Sequence, residues 1–191
     1  MSQKSWPVWT TTGLAIAGLL LFQAAVLGWM GRELICTCGY VKLWHGNPMS
    51  SENSQHIADW YSLSHVLHGL LFYWGLRYLA PGWSIPKRLM VALSIEVGWE
   101  ILENTDFIID RYREATVSLD YHGDSIVNSL SDTLFALLGF MVAARLPARA
   151  SVGLAVAFEL VALVAIRDNL TLNVLMLIAP IEAVRAWQAA L

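Results

Sequence analysis

Glu96-Val97-Gly98-Trp99-Glu100-Ile101-Leu102-Glu103-Asn104 puts carboxylates at i, i+4 and i+7 inside an otherwise apolar run. That spacing is one stripe of a helix. Two more stretches repeat the pattern. Ser64-His65-Val66-Leu67-His68-Gly69 carries imidazoles at i, i+3, and Asp124-Ser125-Ile126-Val127-Asn128-Ser129-Leu130-Ser131-Asp132 carries polar groups at 125, 128 and 132. A charge in the centre of a membrane span costs about 2.5–3.5 kcal/mol even on the lenient insertion scale. Three polar stripes on successive apolar helices escape lipid only by facing one another. The fold they imply is all-α, a polytopic transmembrane helix bundle.

Composition agrees. Of 191 residues, 57% are hydrophobic and 14% charged, where a soluble domain carries about a quarter charged. Apolar stretches of about 20 residues place about six spans, near 9–30, 60–80, 88–107, 125–146, 150–167 and 170–189, in a single domain over 1–191. Pro81, Pro86 and Pro147 punctuate the boundaries. The first run is longer than a signal-peptide core and reads as a retained anchor. A net charge of −3 with no basic block argues against nucleic acid as a partner and leaves the lipid bilayer as the surrounding medium.

Lysine and arginine placement sets the orientation. With the N-terminus in the cytoplasm, Lys4, Arg77, Lys87, Arg88, Arg145, Arg149 and Arg185 fall inside, and Arg32, Lys42, Arg111, Arg113 and Arg167 outside. The expectation is a multi-pass protein of a bacterial inner membrane with both termini cytoplasmic. Two sizeable loops, 31–59 and 105–124, then lie on the periplasmic side.

At 1.5 Å per residue, His65 and His68 lie about 8–12 Å below the outer end of the second span. Glu100 and Glu103 lie just inside the outer end of the third, with Glu96 about one turn deeper, and Asn128 and Asp132 lie roughly 5–10 Å into the fourth. Matched depths point to one pocket. Gly69 and Gly98 offer places where backbones approach.

Imidazole with carboxylate suits zinc, and less well iron or manganese. The expected ligands of a divalent metal are His65, His68 and Glu103 (or Glu100). Glu100, Glu103 and Asp132 are the catalytic candidates, one of them as general base to a metal-activated water. Asn104 and Asn128 would orient ligands or polarise a substrate oxygen, Arg113 would meet an anionic headgroup, and Asp124 stands beside them. Asp124-Ser125 reads equally as a helix N-cap. Asn128 and Asp132 read equally as interhelical hydrogen-bonding groups. Cys36-Thr37-Cys38 is too close for an ordinary disulfide between its own members. Packing in the loop is the default reading, with metal binding or pairing with another protein as alternatives. The segment 50–61, dense in hydrogen-bonding groups, is a candidate lid.

Cys36-Thr37-Cys38-Gly39-Tyr40-Val41-Lys42-Leu43-Trp44-His45-Gly46, Ser51-Glu52-Asn53-Ser54-Gln55-His56 and Trp60-Tyr61-Ser62-Leu63-Ser64-His65-Val66-Leu67-His68-Gly69 resemble an uncharacterised family of proteobacterial multi-pass inner-membrane proteins. So do Trp99-Glu100-Ile101-Leu102-Glu103-Asn104, Tyr112-Arg113 and Gly123-Asp124-Ser125-Ile126-Val127-Asn128-Ser129. The resemblance covers about 31–145 and implies a membrane protein without naming a reaction. The functional expectation from the residues is a metal-dependent hydrolase or transferase acting on a lipid or lipid-linked envelope substrate. The alternative is a non-enzymatic small transporter, ion-binding or envelope-assembly protein.

Overall fold

The structure is a computed structural model that describes residues 8–116 and 120–190. Among these residues there are helices and loops and no strand. The helices are α1 (Val8–Trp29), α2 (Ser62–Leu79), α3 (Ile85–Glu103), α4 (Asp106–Ala115), α5 (Ile126–Ala143), α6 (Ala148–Ile166), α7 (Leu170–Ile178) and α8 (Glu182–Ala189). Three of them, α1, α5 and α6, are long and apolar enough to cross a membrane. With α2 and α3 they form an all-α membrane bundle that is polar inside and apolar outside. Leu14, Leu21, Phe22, Leu134, Leu138, Val152, Val156 and Val164 are exposed, whereas Gln23, Glu96, Glu100 and Asn104 are fully buried. A soluble bundle has the reverse arrangement.

The tightest pairing is α2 against α5. A Cβ on Gly69 would meet the Ala136 carbonyl, and one on Gly139 the Val66 carbonyl. Only glycines permit that approach, as at small-residue crossings in other membrane bundles. Gly98 has no atom within 4 Å of such a Cβ and is no crossing point. The second glycine of the crossing is Gly139. Away from the polar stripes, Leu67, Leu70, Tyr73, Leu89, Leu93 and Phe140 form an apolar core. The polar stripes occupy the other half.

Helix α1 seals the bundle through Gln23. Its amide donates to Ser129 Oγ at 2.8 Å and to the Ser129 carbonyl at 3.0 Å, and accepts from Thr133 Oγ1 at 2.9 Å. Each polar atom of this buried side chain is satisfied, which its burial requires.

A cap covers the polar end. It comprises residues 30–61, α4 and the segment from 120 to Ser125. The N–H groups of Ile126 and Val127, which the first turn of α5 leaves without intrahelical partners, donate to the carbonyls of Glu33 and Leu34. Gln55 donates to the Gly123 carbonyl at 2.7 Å, and Arg32 binds the His122 carbonyl and Asp106, both at 2.9 Å. Asp59 takes the N–H groups of Tyr61 and Ser62 ahead of α2. The loop expected over 105–124 thus contains a helix, α4, with Thr105 as its N-cap. Within the cap a disulfide joins Cys36 to Cys38, which corrects the expectation that two cysteines this close in sequence do not bridge and simply pack in the loop.

The single span expected over 170–189 is divided. Helix α7 has nine residues, α8 has eight, and Pro180 lies between them. Nine residues rise only about 13 Å, less than half of a hydrocarbon core. Gln188 donates to the Arg167 carbonyl and Arg167 to the Trp187 carbonyl, so α8 folds back onto the end of α6. Glu159 accepts the N–H groups of Leu170 and Thr171, compensating the N-terminus of α7 with a carboxylate. The described chain therefore begins and ends at opposite ends of the bundle. Arg185 lies in α8 at the cap end, and Lys4 lies outside the described residues.

Candidate metal centre

Helices α2, α3 and α5 bring their polar stripes together beneath the cap, around a cavity of about 270 Å³. Its polar wall includes His65, His68, Glu103, Asp124 and Asp132, and its apolar wall Phe72, Ile95, Trp99, Leu170 and Val174. Asn53, Ser54 and Tyr61 from the segment 50–61 also line it, so that segment lies over the site.

Both histidines meet Glu96. Its Oε1 is 2.7 Å from His65 Nδ1, and its two oxygens are 3.2 and 3.0 Å from His68 Nδ1. The imidazoles meet edge to face with ring centres 5.2 Å apart. Behind them, Glu100 Oε1 is 3.2 Å from His65 Nδ1 without hydrogen-bond geometry, while its Oε2 accepts a 2.6 Å bond from Ser129 Oγ. On the other side of the His65 ring, Nε2 is 3.8 Å from Asp132 Oδ2, and Ser62 donates to the other oxygen of Asp132.

Two sets of ligating atoms lie within 4.8 Å of one another here: His65, His68 and Glu96, and His65, Glu100 and Glu103. The expected ligand set of His65, His68 and Glu103 does not recur as one group. Glu96 stands with both histidines, and Glu103 is displaced toward Tyr112 and the cavity. The reason is register. Antiparallel α2 and α3 bring His68 opposite the deeper turn of the carboxylate stripe, and His65 reaches both turns.

Asn104 is fully buried behind the cavity wall. Its amide donates to Asp124 Oδ2 and its carbonyl oxygen accepts the Asp124 N–H, both at 2.7 Å. Tyr121 completes the grip, donating to Asp124 Oδ1 at 3.0 Å. Burial pushes the Asp124 carboxyl up to about 6 against these bonds, which favour the ionised form. Asn128 does not face the cavity. It donates to the His56 carbonyl at 2.7 Å and ties α5 to the cap, while Ser125 caps that helix. Arg113 is also outside the cavity: its Nε donates to the Tyr121 carbonyl at 2.6 Å and a terminal nitrogen is 3.5 Å from Asp110. Neither residue is placed to touch a substrate in the pocket.

Three contributors escaped the sequence reading as site residues. The sequence marks Glu96 only as one member of a stripe. Tyr61 donates from the cavity wall to Asp168 Oδ2 at 3.1 Å. Asn173 of α7 accepts from Tyr112 at 2.8 Å and closes the opposite wall.

Residues 27–190 match the family model DUF2585, described as a protein of unknown function. The chain is similar to proteins called UPF0314 protein. That of Paracoccus denitrificans (strain Pd 1222) is 56% identical over 191 residues, covering 100% of this chain and 96% of that protein. That of Brucella anthropi is 50% identical over 190 residues, covering 100% and 96%. That of Sphingopyxis alaskensis is 52% identical over 179 residues, covering 94% and 95%. These relatives bear out the resemblance to an uncharacterised proteobacterial family. No solved structure matches significantly.

Proposed function

The chain belongs to the DUF2585 family of unknown function, and we propose that it is a metal-dependent hydrolase or transferase of the bacterial inner membrane, acting near the periplasmic face on a lipid or lipid-linked envelope substrate. The observation that carries this reading is the convergence of His65, His68 and Glu96 on one point at the wall of a cavity that is polar on one side and apolar on the other. A headgroup bond would meet the polar wall while acyl carbons rest on Phe72, Ile95 and Trp99.

The donor set fits a divalent cation. Two imidazoles and a carboxylate are a catalytic zinc set that leaves a position for water. A cation there would draw the pKa of a bound water toward 7. Glu103, which lines the cavity and groups with His65 and Glu100, would take the water's proton and return it to the leaving oxygen. Asp132, facing His65 Nε2, would hold the ring's orientation. Asn104 and Tyr121 fix Asp124 on the wall that a headgroup would meet.

The disulfide in the cap supports the periplasmic orientation, because such bonds persist in oxidising compartments. Arg77, Lys87, Arg88, Arg145 and Arg149 flank the two short loops at the opposite end, which carry no acid. A transporter would need polar groups through the inner half, where Leu67, Leu70, Leu93 and Phe140 close the bundle.

The test is metal content of detergent-purified protein, with hydrolysis of extracted envelope lipids as a second readout. The wild type is expected to retain a divalent metal and release a lipid fragment. His68→Ala and Glu96→Ala should lose both, and Glu103→Gln should lose turnover and keep the metal. Metal-free wild type that stays folded in metal-supplemented buffer would overturn the proposal.

A further inference from the structure

The cap contains a third group of ligating atoms, and none of its four residues lines the cavity. A sulfur each from Cys36 and Cys38, a carboxylate oxygen of Glu52 and a ring nitrogen of His56 all lie within 4.8 Å of one another. Ligands around a tetrahedral zinc-type centre stand roughly 3.4–3.8 Å apart, so small adjustments would close the set on an ion. Cys36 is 3% exposed and His56 1%, so two of the donors are already withdrawn from water.

The surroundings hold the imidazole in place. Tyr40 stacks on His56 at 5.9 Å, Glu52 Oε2 is 3.0 Å from Nε2, and the Lys42 N–H donates to Nδ1 at 3.3 Å. Coordination through either nitrogen exchanges one of those hydrogen bonds for a metal bond. Lys42 Nζ donates to Glu52 Oε2 at 2.6 Å, and the Tyr40 hydroxyl stands 3.2 Å from both Glu52 oxygens. Glu52 is therefore committed to an ammonium partner. Once the disulfide is reduced, two sulfurs and one ring nitrogen remain as donors for a metal. A soft set of low coordination number favours copper(I) over harder divalent ions. The Lys42 charge offsets the negative charge that a dithiolate–copper(I) unit would carry.

The pairing of Cys36 with Cys38 supplies a switch. Thiolate is the ligating form, and a disulfide withholds both sulfurs. We propose that the reduced cap binds copper(I) through Cys36, Cys38 and His56, and that the disulfide is its closed form. Opening is a two-electron exchange. A dithiol donor attacks one cap sulfur, leaves as its own disulfide and deposits two thiols on the cap. Copper(I) then displaces the two thiol protons to solvent. Cys36, Cys38 and His56 group apart from His65 and His68 and do not line the cavity.

The test uses full-length protein in detergent, with the disulfide intact or opened by a phosphine that is removed before titration. Copper(I) is titrated anaerobically against a coloured copper(I) chelator. The reduced protein is expected to withdraw copper(I), and the disulfide form none. Alkylating the reduced thiols, or Cys38→Ser, should abolish uptake, whereas His68→Ala should leave it unchanged. Lys42→Ala should weaken uptake without abolishing it, since the ammonium offsets charge but is no ligand. Equal uptake by both redox forms of the wild type, uptake that survives alkylation, or uptake of zinc in preference to copper(I) would overturn the proposal. The wild-type comparison needs no variant to fold.

Discussion

Asp168 offers the most direct test of how the C-terminal helices close the site. It lies between α6 and α7 and is 4% exposed. Burial pushes its carboxyl from an ordinary 3.8 up to about 6, although the Asn169 N–H at 2.9 Å and the Tyr61 hydroxyl at 3.1 Å favour the ionised form. The folded state therefore holds this proton more tightly than the unfolded chain. The associated stability is fully present below pH 4 and is lost as pH rises through 6. About two pH units at about 1.4 kcal/mol each give about 3 kcal/mol. For a chain of this size that is a fall of about 6–12 °C in the unfolding midpoint. The perturbation is Asp168→Asn, a neutral isostere that resembles the protonated acid at every pH. The assay is thermal unfolding in one detergent from pH 4 to pH 7. The gap between wild type and variant should be small at pH 4 and grow by about 3 kcal/mol in favour of the variant by pH 7. A gap independent of pH, or one moving in favour of the wild type, would refute the reasoning.

Other expectations follow from packing. Gly139→Val should destabilise by about 1–3 kcal/mol or prevent folding, because its side chain meets the Val66 backbone. Gly98→Ala, with open space, should be nearly neutral by the same unfolding assay. Gln23→Leu removes the partner of Ser129 and Thr133 and should cost about 1–3 kcal/mol, whereas Leu at an exposed α1 position such as Thr11 should not. Asn104→Ala should leave Asp124 without two bonds, lowering turnover while metal content is kept.

The helical bundle and its polar half were readable because both signals are local. Apolar run length sets a span, and the 3.6-residue period of 96, 100 and 103 sets a stripe. Which carboxylate meets the histidines was not local. It depends on the vertical register of α2 against α3, and one turn separates Glu96 from Glu100. Pro180 did carry a signal against a single helix over 170–189, since a proline removes a backbone donor and clashes with the preceding turn. The apolar composition of both flanks concealed it. Gln23 was also visible as the lone amide in α1, yet its partners on α5 lie more than 100 residues away. The 125/128/132 stripe puts Asn128 in the pocket and charge alone puts Arg113 there, but a stripe does not say which of its members meets a loop. Asn128 donates to the His56 carbonyl and Arg113 to the Tyr121 carbonyl, both in the cap.

X-ray absorption at the edge of the metal retained by disulfide-intact protein tests the central claim most directly. Coordination by His65, His68 and Glu96 predicts nitrogen and oxygen scatterers at about 2.0–2.1 Å, including two imidazoles, and no sulfur. A spectrum dominated by sulfur, or one unchanged by His68→Ala, would contradict it.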